Sequence, residues 1–227
     1  MQNLILVHGA LGSSNSWQHI VTHLEEHYYI HNINLPGHGA SLEPMKETNL
    51  KYFSDYILNY TEGNRLNDYI MAGYSMGGYL GLYMAANHYK GLQKLYTIAT
   101  KMLWDDAIAN KEAMKLDYNT VSEKAPQFLT MQQNAHPNNW PYILSDTQNI
   151  LQQIGQNPIT TAHLNAIQIP VQMCVGNKDH MVTQEETLQA AAEILNSSYI
   201  ILDEQPHIIE KMNGEIVAES IKKFAGL

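Results

Sequence analysis

Apolar residues along the chain come in short runs separated by stretches with helical spacing. That alternation predicts a mainly parallel sheet covered by helices. Residues 4–7, Leu-Ile-Leu-Val, read as a buried strand that stops at His8-Gly9. A helix is expected over 16–26, with Ser13, Ser14 or Asn15 as its N-cap. A second strand over 30–35 is halted by Pro36-Gly37-His38-Gly39. Helical sequence over 48–60 leads to a third strand at 69–72, a turn over 73–78 and a helix over 79–87. A fourth strand is expected over 95–99.

The alternation then fails. Between 101 and 166 there is no convincing strand, only helical patches broken by Pro126, Pro137, Pro141 and Pro158. The stretch is too long for an ordinary connection, so it is expected to be an inserted helical element. Strand and helix signals resume with a strand over 170–175, a helix over 184–195, a strand over 198–202 and a helix over 214–224. The expected organisation is one α/β core, residues 1–100 and 166–227, with a helical cap inserted at 101–165.

Composition adds mostly exclusions. Hydrophobic residues make up 44% of the 227 positions, ample for a core, while only 15% are charged. The 13 basic and 22 acidic side chains leave a formal charge of -9. Such a chain lacks the basic footprint that neutralises phosphates, so no nucleic-acid partner is expected, and adsorption to an anionic membrane is disfavoured. No stretch approaches the ~20 apolar residues of a membrane span, and the N-terminal run lacks the basic start of a secretory signal. The expected location is cytoplasmic. The single cysteine, Cys174, cannot close an internal disulfide and sits in a predicted buried strand, where it acts as a small hydrophobe.

Gly73-Tyr74-Ser75-Met76-Gly77, followed by Gly78, fits Gly-x-Ser-x-Gly between a predicted strand and a predicted helix. That pattern suits a sharp turn that thrusts a serine hydroxyl out at the end of the sheet, with a helix N-terminus aimed at any negative charge formed there. A nucleophilic serine needs a base, and the base an orienting carboxylate. Asp179 follows the strand at 170–175, and His207 follows the next one. Strand ends of this kind converge on the ligand crevice of an open α/β sheet. Asp203 and His180 are the rival assignments, and Asp179 has an alternative use as a helix cap. The small-residue loop His8-Gly9-Ala10-Leu11-Gly12 offers backbone amides for an oxyanion, with Ala10 and Met76 as the two donors and Leu11 as the alternative to Ala10.

These residues together resemble the α/β-hydrolase family over essentially the whole chain. They are His8-Gly9, Leu35-Pro36-Gly37-His38-Gly39-Ala40-Ser41, the Ser75 turn, Asp179 and His207. The resemblance implies an α/β-hydrolase fold: about six parallel strands, the family's first two being missing, helices on both faces and an inserted helical cap. Asn34 stands where many members carry Asp, a change that touches loop packing. Ser75 as nucleophile implies acyl chemistry on esters, thioesters or amides, with Asp179 and His207 completing the triad and no cofactor. Perhydrolase chemistry is a possible side reaction. The related menaquinone-pathway lyase relies on arginines for a multi-anionic substrate. This chain has only Arg65, away from the expected crevice, and carries Tyr79 where one of those arginines would stand.

Inside the insertion, Met102, Leu103, Trp104, Met114, Phe128, Leu129, Met131 and Trp140 are candidates to line an apolar acyl pocket, or else simply pack the cap on the core. Leu11, Trp104 and Trp140 are the named substrate-binding candidates, together with Lys101 as a partner for one substrate carboxylate. His19, His23 and His27 recur at helical spacing, but with no carboxylate motif nearby they read as a solvated face, and no metal is expected. The reading reached is a carboxylesterase-like serine hydrolase acting on a small, mostly apolar ester. The alternatives are a ligand-binding protein on a hydrolase scaffold and a triad-dependent carbon–carbon hydrolase or lyase.

Overall fold

The computed structural model describes residues 1–140 and 142–226, so Pro141 of the sequence argument lies outside the described residues. Strand β1 (Gln2–Val7) is followed by a one-turn 3-10 helix (Ser14–Trp17), a short helix α1 (Gln18–Val21) and strand β2 (Tyr28–Ile33). Helix α2 (Leu50–Gly63), strand β3 (Tyr69–Tyr74), helix α3 (Met76–Ala86) and strand β4 (Leu92–Ile98) come next. Five helices fill the interval before the next strand: α4 (Asp106–Met114), α5 (Tyr118–Lys124), α6 (Pro126–Ala135), α7 (Ile143–Gln156) and α8 (Thr161–Asn165). Strand β5 (Val171–Lys178), helix α9 (Gln184–Ala192), strand β6 (Ser197–Pro206), a 3-10 turn (Ile209–Lys211) and helix α10 (Gly214–Ala225) complete the chain.

The six strands form one sheet in the order β2-β1-β3-β4-β5-β6, and every pair is parallel. Both faces are covered, as a parallel sheet requires. Ile5 and Val7 of β1 join one apolar cluster with Phe53 and Ile57 of α2, Leu80 and Leu82 of α3 and Ala190 of α9. Leu4 and Leu6 join the other, with Ile20 of α1 and Val217 and Ile221 of α10. The strand order reverses between β1 and β3, so the loops after these two strands flank the crevice where an open α/β sheet binds its ligands.

Element bounds shift by a few residues throughout, and three differences from the sequence reading bear on the candidate chemistry. The helix expected over 16–26 shrinks to α1, and His23 and Leu24 bond in i-to-i−3 fashion to Ile20 and Val21. The β-branched run Ile20-Val21-Thr22 loses rotamer freedom in a helix, and Thr22 Oγ1 donates back to the His19 carbonyl at 3.1 Å. His19, His23 and His27 therefore share no regular helix face, and no cluster able to hold a metal occurs among the described residues. Helix α3 begins at Met76, not 79, so Gly77 and Gly78 lie inside its first turn and the bend narrows to Ser75. Strand β6 runs on to Pro206, which delivers His207 directly from the sheet.

Four residues other than glycine adopt left-handed backbone at or just past the carboxyl ends of strands: Leu11 (φ 58°), Ser75 (51°), Ala99 (54°) and Glu204 (55°). No helix among the described residues is long and apolar enough to cross a membrane.

Candidate active site

Ser75 is the single residue between β3 and α3, with φ 51° and ψ −114°. Its N–H donates to the Ile98 carbonyl at 2.9 Å, and its carbonyl accepts from Tyr79 N–H at 3.0 Å and Thr100 Oγ1 at 3.3 Å. The turn tolerates no bulk around it. A Cβ on Gly77 would strike the Val7 carbonyl oxygen, and one on Gly73 the backbone of Gly77 and Gly78. On the β1 side, a Cβ on Gly9 would lie 2.8 Å from the Tyr74 ring and 3.1 Å from Ser75 Cβ. The loop after β1 thus runs directly beside Ser75. It folds as a turn in which Gly12 N–H donates to Gly9 O at 3.1 Å, with Leu11 at the left-handed position. Ala10, Met76 and Trp104 all pack on the same apolar cluster. Met76 opens α3, so its N–H belongs to the helix's unpaired first turn, where the helix dipole also favours negative charge.

Asp179 and His207 meet across the ends of β5 and β6. His207 Nδ1 lies 2.8 Å from Asp179 Oδ2; the Asp179 side chain is fully buried, while His207 is 12% exposed. The other carboxylate oxygen accepts from the N–H groups of Met181 and Val182, both at 2.8 Å. Those bonds fix the carboxylate and leave its second oxygen for the imidazole. Thr183, not Asp179, caps α9. The Tyr74 ring lies 5.7 Å from the His207 ring, which brings the imidazole against the residue preceding Ser75. Of the rivals, Asp203 accepts from Asn177 at an exposed site, and His180 is solvent-exposed. An imidazole held by a buried carboxylate through Nδ1 keeps Nε2 free to take a proton, and its cation is stabilised once formed.

Lys101 Nζ lies 3.9 Å from the buried carboxylate of Glu186 and 5.8 Å from the Trp104 ring centroid. Trp104 Nε1 donates to the Lys101 carbonyl at 3.0 Å, so these two candidates are one local unit. Sequence reasoning missed Glu186, which also accepts from Met102 N–H at 2.9 Å and closes a capping box with Thr183. The Thr-x-x-Glu spacing was the available signal. Met114 and Met131 are solvent-exposed, and Met114 lines a groove with Lys111, Lys115 and Lys124 between α4 and α5; the structure does not gather them with Trp104. Trp140 lies on the 136–140 turn, its N–H donating to the His136 carbonyl at 3.0 Å.

His136 is the other residue that sequence reasoning missed. It is fully buried between the core loops at Leu11 and Gly39. Its ring lies 5.9 Å from His38, which in turn lies 4.9 Å from His8. Burial keeps all three neutral: His8 falls to about 4, His38 well below its ordinary value, and His136 is lowered as well. Tyr79 is also engaged, its hydroxyl accepting the Ile159 N–H at 2.7 Å and pinning the end of the insertion to α3.

A sequence profile described as the alpha/beta hydrolase fold matches residues 2–140, more than half of the chain. The protein is a member of the α/β-hydrolase fold family. Among curated relatives, the pimeloyl-[acyl-carrier protein] methyl ester esterase of Vibrio cholerae is 32% identical over 99 residues, 44% of this chain. That alignment covers 37% of the Vibrio cholerae protein, and alignments with two Vibrio vulnificus counterparts cover 36% and 61% of theirs. The (E)-2-((N-methylformamido)methylene)succinate hydrolase of Acinetobacter baylyi is 19% identical over 97% of this chain and 89% of its own. Among solved structures, a hydrolase from Pseudomonas aeruginosa superposes with a TM-score of 0.84 at 17% identity, covering 100% of this chain and 90% of that one. This α/β-hydrolase therefore shares its fold with proteins named for hydrolytic chemistry.

Proposed function

We propose that this α/β-hydrolase is a serine hydrolase cleaving a small, mostly apolar carboxylic ester through an acyl-enzyme. The observation that carries the reading is the buried Asp179 carboxylate bonded to His207 at the same end of the sheet as the strained Ser75 turn. In this mechanism His207 Nε2 accepts the Ser75 proton as Oγ attacks the substrate carbonyl carbon. Asp179 holds the proton on Nδ1 and stabilises the imidazolium. The amides of Met76 and Ala10, with Leu11 as the alternative to Ala10, bind the oxyanion. His207 then returns its proton to the departing alkoxide, which leaves as the alcohol. In the second half it takes a proton from water, whose oxygen attacks the acyl carbon, and returns that proton to Ser75 Oγ as the acyl–oxygen bond breaks, releasing the carboxylic acid and restoring the free serine.

The segment 101–165 serves in this reading as a cap, with Trp104, Trp140 and Leu11 against the acyl group. Lys101 would meet a carboxylate on substrates that carry one by giving up its 3.9 Å pairing with Glu186, whose oxygens keep the Met102 and Thr183 N–H donors. The esterase and hydrolase names of the relatives support ester cleavage as the reaction class. Two features argue against a multi-anionic substrate of the lyase type: Tyr79 is committed to Ile159, and the chain's only arginine, Arg65, lies just past α2 and before β3.

Intact mass after exposure to a fluorophosphonate tests the reading, with wild type and Ser75→Ala compared. One adduct on wild type, absent from the variant, is expected, followed by turnover on a panel of short-chain esters. A folded wild type that forms no adduct and turns over no ester would reverse the reading in favour of a ligand-binding protein.

A further inference from the structure

The insertion reaches the loop beside Ser75 through one side chain. His136 Nδ1 accepts the Gly39 N–H at 2.8 Å, so that nitrogen carries no proton. The neutral imidazole then bears its proton on Nε2, which donates to the Leu11 carbonyl at 3.0 Å. One ring thereby ties the end of α6 to two core loops, 125 and 97 residues away in sequence. Asn138 Nδ2 reinforces the attachment at the Ser41 carbonyl, 3.2 Å away.

Leu11 is the residue whose conformation most needs such a hold. At φ 58° it sits where a leucine is strained by about 1–2 kcal/mol. It occupies the third position of the turn from Gly9 to Gly12. The Leu11 carbonyl belongs to the peptide plane that closes that turn. Fixing it fixes the rotation of the turn, and with it the directions of the Ala10 and Leu11 N–H groups beside Ser75. A preorganised donor is what separates an oxyanion hole from an ordinary loop.

We propose that His136 is a positioning residue: its Nε2–H bond to the Leu11 carbonyl holds the oxyanion loop in its working orientation and so couples that loop to the helical insertion. The proposal rests on the serine-hydrolase reading for its catalytic consequence, but its geometric content stands apart from it.

Two substitutions separate the bonds. His136→Gln places an amide N–H near the Nε2 position and restores the donor to Leu11. His136→Asn places an oxygen near the Nδ1 position, keeping Gly39 satisfied and losing Leu11. On an ester turned over through Ser75, His136→Asn is expected to lower kcat roughly 10- to 100-fold, with KM within about twofold. His136→Gln is expected to recover to within about threefold of wild type. Equal kcat in two folded variants of similar thermal midpoint would overturn the coupling and leave His136 as a packing anchor.

Amide hydrogen exchange by NMR, on resting protein, keeps this separate from the esterase reading. Gly12 N–H, the donor that closes the turn, should exchange at least about tenfold faster in His136→Asn and stay near wild type in His136→Gln. Unchanged Gly12 protection in His136→Asn overturns the proposal whether or not any ester is cleaved. Absent turnover with the expected exchange pattern overturns the esterase reading alone. Wild-type protein supplies a check that depends on no variant's folding. The imidazole 15N spectrum of His136 should show the proton on Nε2, and a proton on Nδ1 would sink the assignment.

Discussion

His207 and the trio His8, His38 and His136 gather at the same end of the sheet, yet their surroundings are opposite. His207 is partly exposed and bonded to a buried carboxylate, Asp179. The trio is fully buried, and its bonds run to backbone: His8 donates from Nδ1 to Gly9 O and accepts Leu35 N–H on Nε2, His38 bonds Pro36 O, and His136 bridges Leu11 and Gly39. No carboxylate bonds any of the three among the described residues. An imidazole meant to carry charge transiently needs a counter-ion; one meant to stay neutral serves as a rigid strut, with both ring nitrogens engaged in His8 and His136 and Nδ1 alone in His38. The same residue type supplies both functions within one crevice, and burial with partner chemistry decides which.

The contrast is broken most severely at His207. His207→Ala should lower ester turnover roughly ten-thousand-fold or more while the protein still melts cooperatively, because the buried Asp179 carboxylate keeps its two N–H donors at Met181 and Val182. Steady-state kinetics beside a melting curve checks both halves. Substantial turnover would remove the distinction between the two sets.

Acid sharpens the comparison from the other side. Above pH 6.5 the trio is neutral whether the chain is folded or not. Below it the unfolded chain binds protons that the folded protein refuses, so stability is lost as pH falls from 6.5 towards 4. The His8 depression alone, from 6.5 to about 4, corresponds to roughly 3 kcal/mol over that window. Urea unfolding at pH 7.5, 6, 5 and 4.5 should show the decline, with a shallower slope in His8→Gln. A flat profile would mean that the trio is not held neutral by the fold.

Gly39→Ala attacks the strut without touching a histidine. Gly39 has φ +57°, and a Cβ there meets the Asn34 amide oxygen, itself bonded to Ser14 N–H at 2.7 Å. A loss of about 2 kcal/mol is expected on urea unfolding, with kcat falling further than stability explains if His136 loses its anchor. The smallest effect belongs to Lys101. Lys101→Met should raise KM for an ester carrying a carboxylate by less than about tenfold and leave neutral esters unchanged. An equal change on both substrate types would assign the lysine to packing on Trp104.

The strands and the Ser75 turn were legible because their signals are local: a short apolar run, then glycines at fixed offsets that the backbone geometry demands. Asp179 and His207 were legible because each stands one step past a strand end, where parallel topology collects residues. His136 was not, since its contacts lie 97 and 125 residues away and nothing in the surrounding Asn- and Gln-rich sequence marks it. The helix at 16–26 was over-read because apolar spacing outweighed the Ile20-Val21-Thr22 run. The Met114 and Met131 assignment failed for a related reason. Side-chain type identifies material suited to a pocket, but only the packing of α4 to α6 decides which face of each helix turns outward.

The four left-handed residues at the strand ends have a consequence for anyone who evolves this protein in the laboratory. Leu11, Ser75, Ala99 and Glu204 each hold a conformation that glycine adopts without penalty, and they cluster at the carboxyl ends of β1, β3, β4 and β6. Glycine at these four positions would relieve about 1–2 kcal/mol of backbone strain against the ~0.5–1 kcal/mol entropic cost of a glycine, as it would at Arg65 (φ 59°) and His88 (φ 54°), which lie at helix ends away from the crevice. A library screened on melting temperature alone will therefore accept glycine in the crevice loops as readily as at Arg65 or His88, and keeping the working loop requires an activity screen beside it.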